Sequence, residues 1–338
     1  MQGLNMLSVK TLVRILINTL IGLVLIFTWV RFVNLEEVFK TISKVSLIGL
    51  MPVFSFMFVS PLIRTVRLKL FLSEVKKVSL REIFFLNGTA LILNFFIPIR
   101  VGEVIKGVYL NTHYGIPLGK AVIWVFLDRF VDFLAVLALA CLLLLVVPSF
   151  LSITIIMIII VILVITLILT YLAVFQKDFA KKLVQFLKPL LIFSHIKIYF
   201  ESFSYFILEA FSILKRHPKD LLFLVILTVF AYLADASIWY FTFISLGSHQ
   251  DFLKMYLGQL LSALTYLIPA APGYVGSAEA SGLLILSGIF GIEKNLASAM
   301  TVLFHMASAV FVIIFGLISI FSLKLDLGAV FKKALNRS

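Results

Sequence analysis

The sequence predicts an all-α polytopic membrane protein with an inverted internal repeat, about six full spans and two re-entrant hairpins broken by Pro and Gly. Three observations carry this expectation. The 338 residues are 62% hydrophobic and only 13% charged, with a mean hydropathy of +1.16. A soluble chain carries about 25% charged residues, so lipid must be the solvent for most of this apolar surface. Apolar runs long enough to span recur along the chain. Finally, residues 84–98 (FFLNGTALILNFFIP) and 255–269 (MYLGQLLSALTYLIP) repeat one another without a gap, and Pro269 follows Pro98 by 171 residues. Leu86/Leu257, Leu93/Leu264 and Ile97/Ile268 are also identical, and each run continues to Val-Gly and then a glutamate (Val101, Gly102, Glu103; Val275, Gly276, Glu279). An apolar segment interrupted by Pro and Gly once per half is the sequence mark of a transporter built from repeats.

Taken in order, the expected spans are 12–33, 46–66, 121–146, 151–175, 221–246 and 295–322. The first is long enough to cross and lacks a small-residue cleavage site, so it reads as an uncleaved helix. The run 151–175 holds no charge at all. Basic residues gather in 64–82 (Arg64, Arg67, Lys69, Lys76, Lys77, Arg81), in 177–220 and in the C-terminal tail. The positive-inside rule places these segments and both termini in the cytoplasm of a cell-membrane protein. The formal charge of +13 is thereby explained by orientation, and no nucleic-acid partner is expected.

That orientation has a consequence for the duplicated segments. The span 46–66 ends inside and 121–146 starts inside, so the hairpin 83–112 must enter from the cytoplasm and return to it. By the same logic, the hairpin 255–291 enters from outside and returns there, although its second limb is long enough to cross. The chain is then one membrane domain, 1–338, with repeats at 46–146 and 221–322. Non-helical backbone at membrane depth needs protein or a wet cavity around it, so the breaks at Pro98–Gly102 and Pro269–Gly276, with Pro272 and Gly273, should meet near the midplane. Between the repeats, 177–219 reads as a cytoplasmic amphipathic connector. Phe179, Leu183, Phe186, Leu187 and Leu190 form one stripe, and Phe200, Phe203, Ile207, Phe211 and Leu214 a second.

Charges at membrane depth cost about 2.5–3.5 kcal/mol each on insertion scales, and they are the candidate functional residues. The span 121–146 holds Asp128, Arg129 and Asp132, at spacings that pair on one helix face. The first hairpin adds Arg100, Glu103 and Lys106; an Arg beside free amides at a half-helix start suits a phosphate or a carboxylate. The second adds Glu279, as a proton or cation carrier or as a cap on the hairpin amides. His305 lies in the last span. There is no CxxC, HExxH, GxSxG or phosphate loop, and Cys141 is alone. No metal or cofactor is expected.

At these residues the chain resembles a known family. PIRVGEVIKGVYL is similar to the P-A-R-x-G-E-…-R stretch of the lysylphosphatidylglycerol synthase transmembrane-region family, also called flippase-like membrane proteins. LDRFVD is similar to its E-R-x-x-D stretch, and APGYVGSAE to its P-G-G-x-G-x-x-E stretch. The three occur in family order, and the likeness extends over roughly residues 10–320. It implicates Pro98, Arg100, Gly102, Glu103, Lys106, Arg129, Asp132, Pro272, Gly273, Gly276 and Glu279. Asp128 stands where Glu is usual, Lys106 where Arg is common, Tyr274 where Gly is common, and His305 where Arg is frequent. The resemblance implies lipid translocation without the soluble synthase activity. The expectation is therefore a non-enzymatic transporter of an anionic phospholipid or polyprenyl-phosphate-type lipid, compatible with a homo-oligomer. Arg100, Lys106 and Arg129 would bind the headgroup, and Glu103, Asp128, Asp132, Glu279 and His305 would balance charge or couple protons. The rival expectations are a membrane-embedded enzyme acting on a lipid headgroup and a non-catalytic subunit of a cell-envelope complex.

Overall fold

The computed structural model describes residues 9–73, 76–97, 101–191, 193–214, 218–265 and 271–325. Among these residues there are thirteen α-helices and no strand. Helices begin where the sequence supplies caps. Ser79 Oγ accepts the Glu82 N–H, the N-cap bond that opens α4 (Leu80–Phe96), and donates to the Glu82 carboxylate. Ser152 opens α7 (Ile153–Phe175). The Glu293 carboxylate accepts the N–H groups of Asn295 and Leu296 and opens α13 (Lys294–Ser322).

Among the described residues, four helices are long and apolar enough to cross a membrane: Ile48–Ser73, which contains α3 (Met51–Ser73), then α7, Leu222–Ser245 within α10 (Pro218–Ser245), and α13. A fifth candidate is the bent pair of α1 (Val9–Val30) and α2 (Leu35–Ile42), whose axes meet at 92°. The remaining expected span is α6 (Leu118–Leu144), 27 residues long but carrying Asp128, Arg129 and Asp132 in its middle. The chain is thus a helical membrane protein. α7 is apolar on every side, and among its residues only Ile159 and Ala173 are buried, as expected of a helix bathed in lipid.

One boundary differs from the sequence reading. The basic segment expected to be a loop from residue 64 is helical through Ser73, so Arg64 and Arg67 belong to α3. Arg67 is fully buried; carboxylates on α6 and a hydroxyl on α10 hold it there, as described below.

Each duplicated segment forms two helices that double back. In the first, α4 packs against α5 (Val101–Tyr114). They run antiparallel: the hydroxyls of Tyr109 and Tyr114 donate to Glu82 at the start of α4, while Gly102 lies against Ala90. A Cβ on Gly102 would fall 2.7 Å from Ala90 Cα, so no side chain fits there. In the second, α11 (Phe252–Thr265) packs against α12 (Ser277–Leu283) and the π-helical turn Leu284–Ile289 that continues it. With 17 and 14 residues, α4 and α5 rise about 25 and 21 Å, short of a bilayer core of about 30 Å. α4 packs on α13 and α11 on α6, while α3 packs on α10.

The connector consists of α8 (Lys177–Leu187) and α9 (Ser194–Leu214). α9 is docked on the transmembrane body, with Leu208 and Phe211 buried and Phe211 stacked edge-on to Phe130 at 4.7 Å. Phe179, Phe186, Leu190 and Phe203 stay exposed.

Candidate functional site

Three helices assemble a buried ionic cluster. Ser60, Arg64 and Arg67 recur at i, i+4 and i+7 and share one face of α3. Arg67 Nε donates to Asp128 Oδ1 at 2.8 Å, and its Nη1 donates to Asp132 and, at 2.8 Å, to Thr228 Oγ1 of α10. Arg129 closes the other side, with Nη2 on Asp128 and Nη1 3.2 Å from Asp132 Oδ2. Each aspartate therefore sits between two guanidiniums. The environments of the two arginines differ: the Arg67 side chain is 0% exposed and that of Arg129 is 33% exposed. Arg67 is locked inside, and Arg129 opens onto a space.

That space is a cavity of about 670 Å³ among α3, both hairpins, α6, α10 and α13. Arg64, Glu103, Lys106, Arg129, Asp132 and Asp235 line it, together with His305. Lys106 Nζ lies 3.2 Å from Glu103 Oε2. Arg64 Nη2 pairs with Asp235 Oδ2 at 2.7 Å, and Ser60 Oγ donates to Asp235 Oδ1 at 2.6 Å. Pro61 lines the same wall; lacking an N–H, it frees the carbonyl of Met57, four residues back and also on the wall. Trp239 Nε1 on α10 is buried without a hydrogen-bond partner, although its residue borders the cavity. An orphaned donor of that kind calls for water or a ligand.

The second hairpin and α13 together contribute a proton-holding pair, Glu279 on α12 and His305 on α13. His305 Nε2 lies 2.6 Å from the Gly273 carbonyl and Nδ1 lies 2.6 Å from Glu279 Oε1. A carbonyl only accepts, so Nε2 carries its hydrogen. One further proton must then lie between Nδ1 and the carboxylate, and whichever atom holds it, the pair is neutral as a whole. Glu279 Oε2 accepts the Gly276 N–H at 2.8 Å, so Glu279 both caps α12 and meets the histidine. Gly276 has a φ of +81°, and Gly273 one of +69°, a region favourable to glycine.

Most of the sequence candidates converge. Glu103, Lys106, Arg129, Asp132 and His305 reach the cavity wall, and Glu279 lies directly behind His305. Asp128 is 2% exposed and faces Arg67 and Arg129, behind the wall. Gly102, Pro272, Gly273 and Gly276 shape the two breaks. Pro98, Arg100 and Pro269 lie outside the described residues. The amides expected to be free at the breaks are in part occupied. The Gly102 N–H donates to Asn94 Oδ1 at 2.8 Å, and that of Gly276 to Glu279.

Arg64, Arg67 and Asp235 escaped the sequence reading, the first two as loop residues and the third inside an apolar run. A signal was present: Arg64 and Asp235 are separated by 171 residues, the spacing of the duplicated segments. Similarly, His305 follows Glu279 by 26 residues, as Arg129 follows Glu103.

No curated protein gives a significant match to this chain. The family model described as the lysylphosphatidylglycerol synthase TM region matches residues 15–316, which links this membrane protein to lipid handling. With that match over nearly the whole chain, the protein belongs to the lysylphosphatidylglycerol synthase transmembrane-region family.

Proposed function

We propose that this protein carries a phosphate-bearing lipid, a phospholipid or polyprenyl-phosphate-type lipid, between leaflets, and that it receives the headgroup in the cavity. The observation that carries this reading is the single space bordered by Arg64, Lys106 and Arg129, with Glu103, Asp132 and Asp235 beside them. Ionisable groups placed inside a membrane and facing a cavity mark substrate and ion pathways. Among the described residues, Arg64, Arg67, Lys106 and Arg129 are matched by Glu103, Asp128, Asp132 and Asp235. A phosphate therefore enters by exchanging for a carboxylate, and Arg129, the most open of the cations, is where that exchange starts. Arg100 joins this set on sequence grounds alone. The His305–Glu279 pair is the site where a proton is gained or lost as the headgroup moves.

An inverted repeat, α3 to α6 and α10 to α13, is supported by the reciprocal packing of α4 on α13 and α11 on α6, and by Arg64 meeting its own counterpart Asp235. In such an arrangement the hairpins enter from opposite faces. With Cys141 replaced by alanine, cysteines placed in 34–45 and 247–254 should react with an impermeant thiol reagent on intact cells. Those in 76–79 and 177–191 should react only after the cells are opened. External labelling at 76–79 contradicts the opposed-hairpin arrangement.

Purified protein reconstituted in vesicles tests the function. Headgroup-labelled phospholipid should cross to the other leaflet with its mass unchanged. A changed lipid mass points to an enzyme acting on the headgroup. No movement with any phosphate-bearing lipid, including a polyprenyl phosphate, argues for a non-transporting role.

A further inference from the structure

A second, smaller space of about 410 Å³ lies between α1 and the α12–π segment. Leu25 and Trp29 border it on α1, one turn apart, with Phe32 in the turn that follows the helix; Leu283, Leu284 and Gly288 border it on the other side. It adjoins the polar cavity: Leu25, Ala280 and Leu284 line both. Two contacts hold α1 around this groove. At its inner end a Cβ on Gly22 would fall 2.6 Å from Ala271 Cβ and 2.7 Å from the Val275 carbonyl oxygen, so α1 touches the second hairpin backbone to backbone. At its outer end Trp29 Nε1 donates to Ser298 Oγ at 3.2 Å, and the Asn34 N–H donates to Asn295 Oδ1 at 3.0 Å. Between them the two apolar sides face each other without filling the gap, over about 6 Å of helix from Leu25 to Trp29 and on to Phe32 in the turn. The hairpin wall here is π-helical from Leu284 to Ile289, a rare conformation that recurs at functional sites.

On the premise that the cavity receives a lipid headgroup, we propose that this groove holds an acyl chain of the same lipid. A polar, charge-lined cavity beside an apolar groove, with shared residues between them, is shaped for an amphiphile. The chain lies between α1 and α12 while the phosphate lies among Arg64, Lys106 and Arg129. The groove is then the lateral path by which the lipid enters from the bilayer, and α1 is the element past which it slides.

The groove contains its own reporter. The chain has three tryptophans, and Trp29 lines the groove with only 7% of its surface exposed, so surrounding lipid reaches it poorly. Gly288 supplies the plug: a Cβ there would meet nothing but a Leu284 methyl at 3.4 Å. The experiment places Trp124→Phe/Trp239→Phe protein in vesicles of phosphatidylcholine brominated on its acyl chains. Trp29 fluorescence should be strongly quenched, and Gly288→Phe should abolish most of that quenching without lowering the unfolding temperature. If the Phe variant folds poorly, Gly288→Leu is read in its place. Quenching that the plug leaves unchanged, or no quenching of Trp29 at all, overturns the groove whatever the transport assay gives. Plug-sensitive quenching in protein that moves no lipid upholds the groove and removes the transport reading instead.

Discussion

Arg67→Ala should lower the stability of the fold by about 3–5 kcal/mol, the cost of leaving a buried ion pair half-made. The substitution strips Asp128 and Asp132 of the guanidinium that contacts both, and it leaves Thr228 without its donor. Arg129 alone then faces two aspartates that are 2% and 6% exposed. Lysine is a compact point charge and cannot reproduce the fork that reaches three partners, so Arg67→Lys should recover only part of the loss. Adding Asp132→Asn to Arg67→Ala removes the uncompensated charge and should restore part of the stability. Unfolding in detergent by heat or by a denaturing surfactant measures all three. An Arg67→Ala protein as stable as the wild type would show that the cluster does not hold α3, α6 and α10 together.

Arg129→Ala should have the opposite profile. Arg67 still contacts both aspartates in this variant, and the charge left over borders the cavity rather than the buried side of the cluster, so the loss of stability should be smaller than for Arg67→Ala. Headgroup binding should suffer instead. Hydrogen bonds to charged groups contribute about 1.5–3 kcal/mol, which corresponds to roughly a ten- to hundred-fold loss of affinity, and lipid transfer in vesicles should fall accordingly. Arg129→Lys should also be impaired, because a bidentate grip on a phosphate needs the planar guanidinium. If Arg129→Ala moves lipid at the wild-type rate, or loses activity only in proportion to unfolding, Arg129 belongs to the scaffold and the entry point of the headgroup lies elsewhere.

The contrast between these two arginines also shows what a linear sequence conceals. Helices such as 153–175 and 295–322 were legible because apolar length alone decides them, and the hairpin breaks were legible because proline and glycine have local consequences. Arg67 was not legible. On hydropathy alone it ends a span, and its neutralising carboxylates stand 61 and 65 residues away on α6, beyond the reach of any window. Asp235 was hidden for the converse reason: one carboxylate barely alters the average over a long apolar run, and its partner Arg64 had been assigned to a loop. The amides at the breaks were misjudged in part, because Asn94 lies one turn before the first break and folds back onto Gly102, a contact set by packing of α5 on α4. Arg129 and Asp132 stand out in the sequence because, with Asp128, they put three charges within five residues of an apolar run, and Glu103, Lys106 and Glu279 because they follow the Pro/Gly breaks.

The central claim is that a lipid headgroup occupies the cavity among Arg64, Lys106 and Arg129. A density map of the protein purified together with its native lipids tests it most directly. The account predicts phosphate density within hydrogen-bond reach of Arg129 and at least one of Arg64 and Lys106, with a chain continuing past Leu25 and Leu284 into the groove beside Trp29. A cavity holding only water, with ordered lipid confined to the outer surface of the helices, would contradict it.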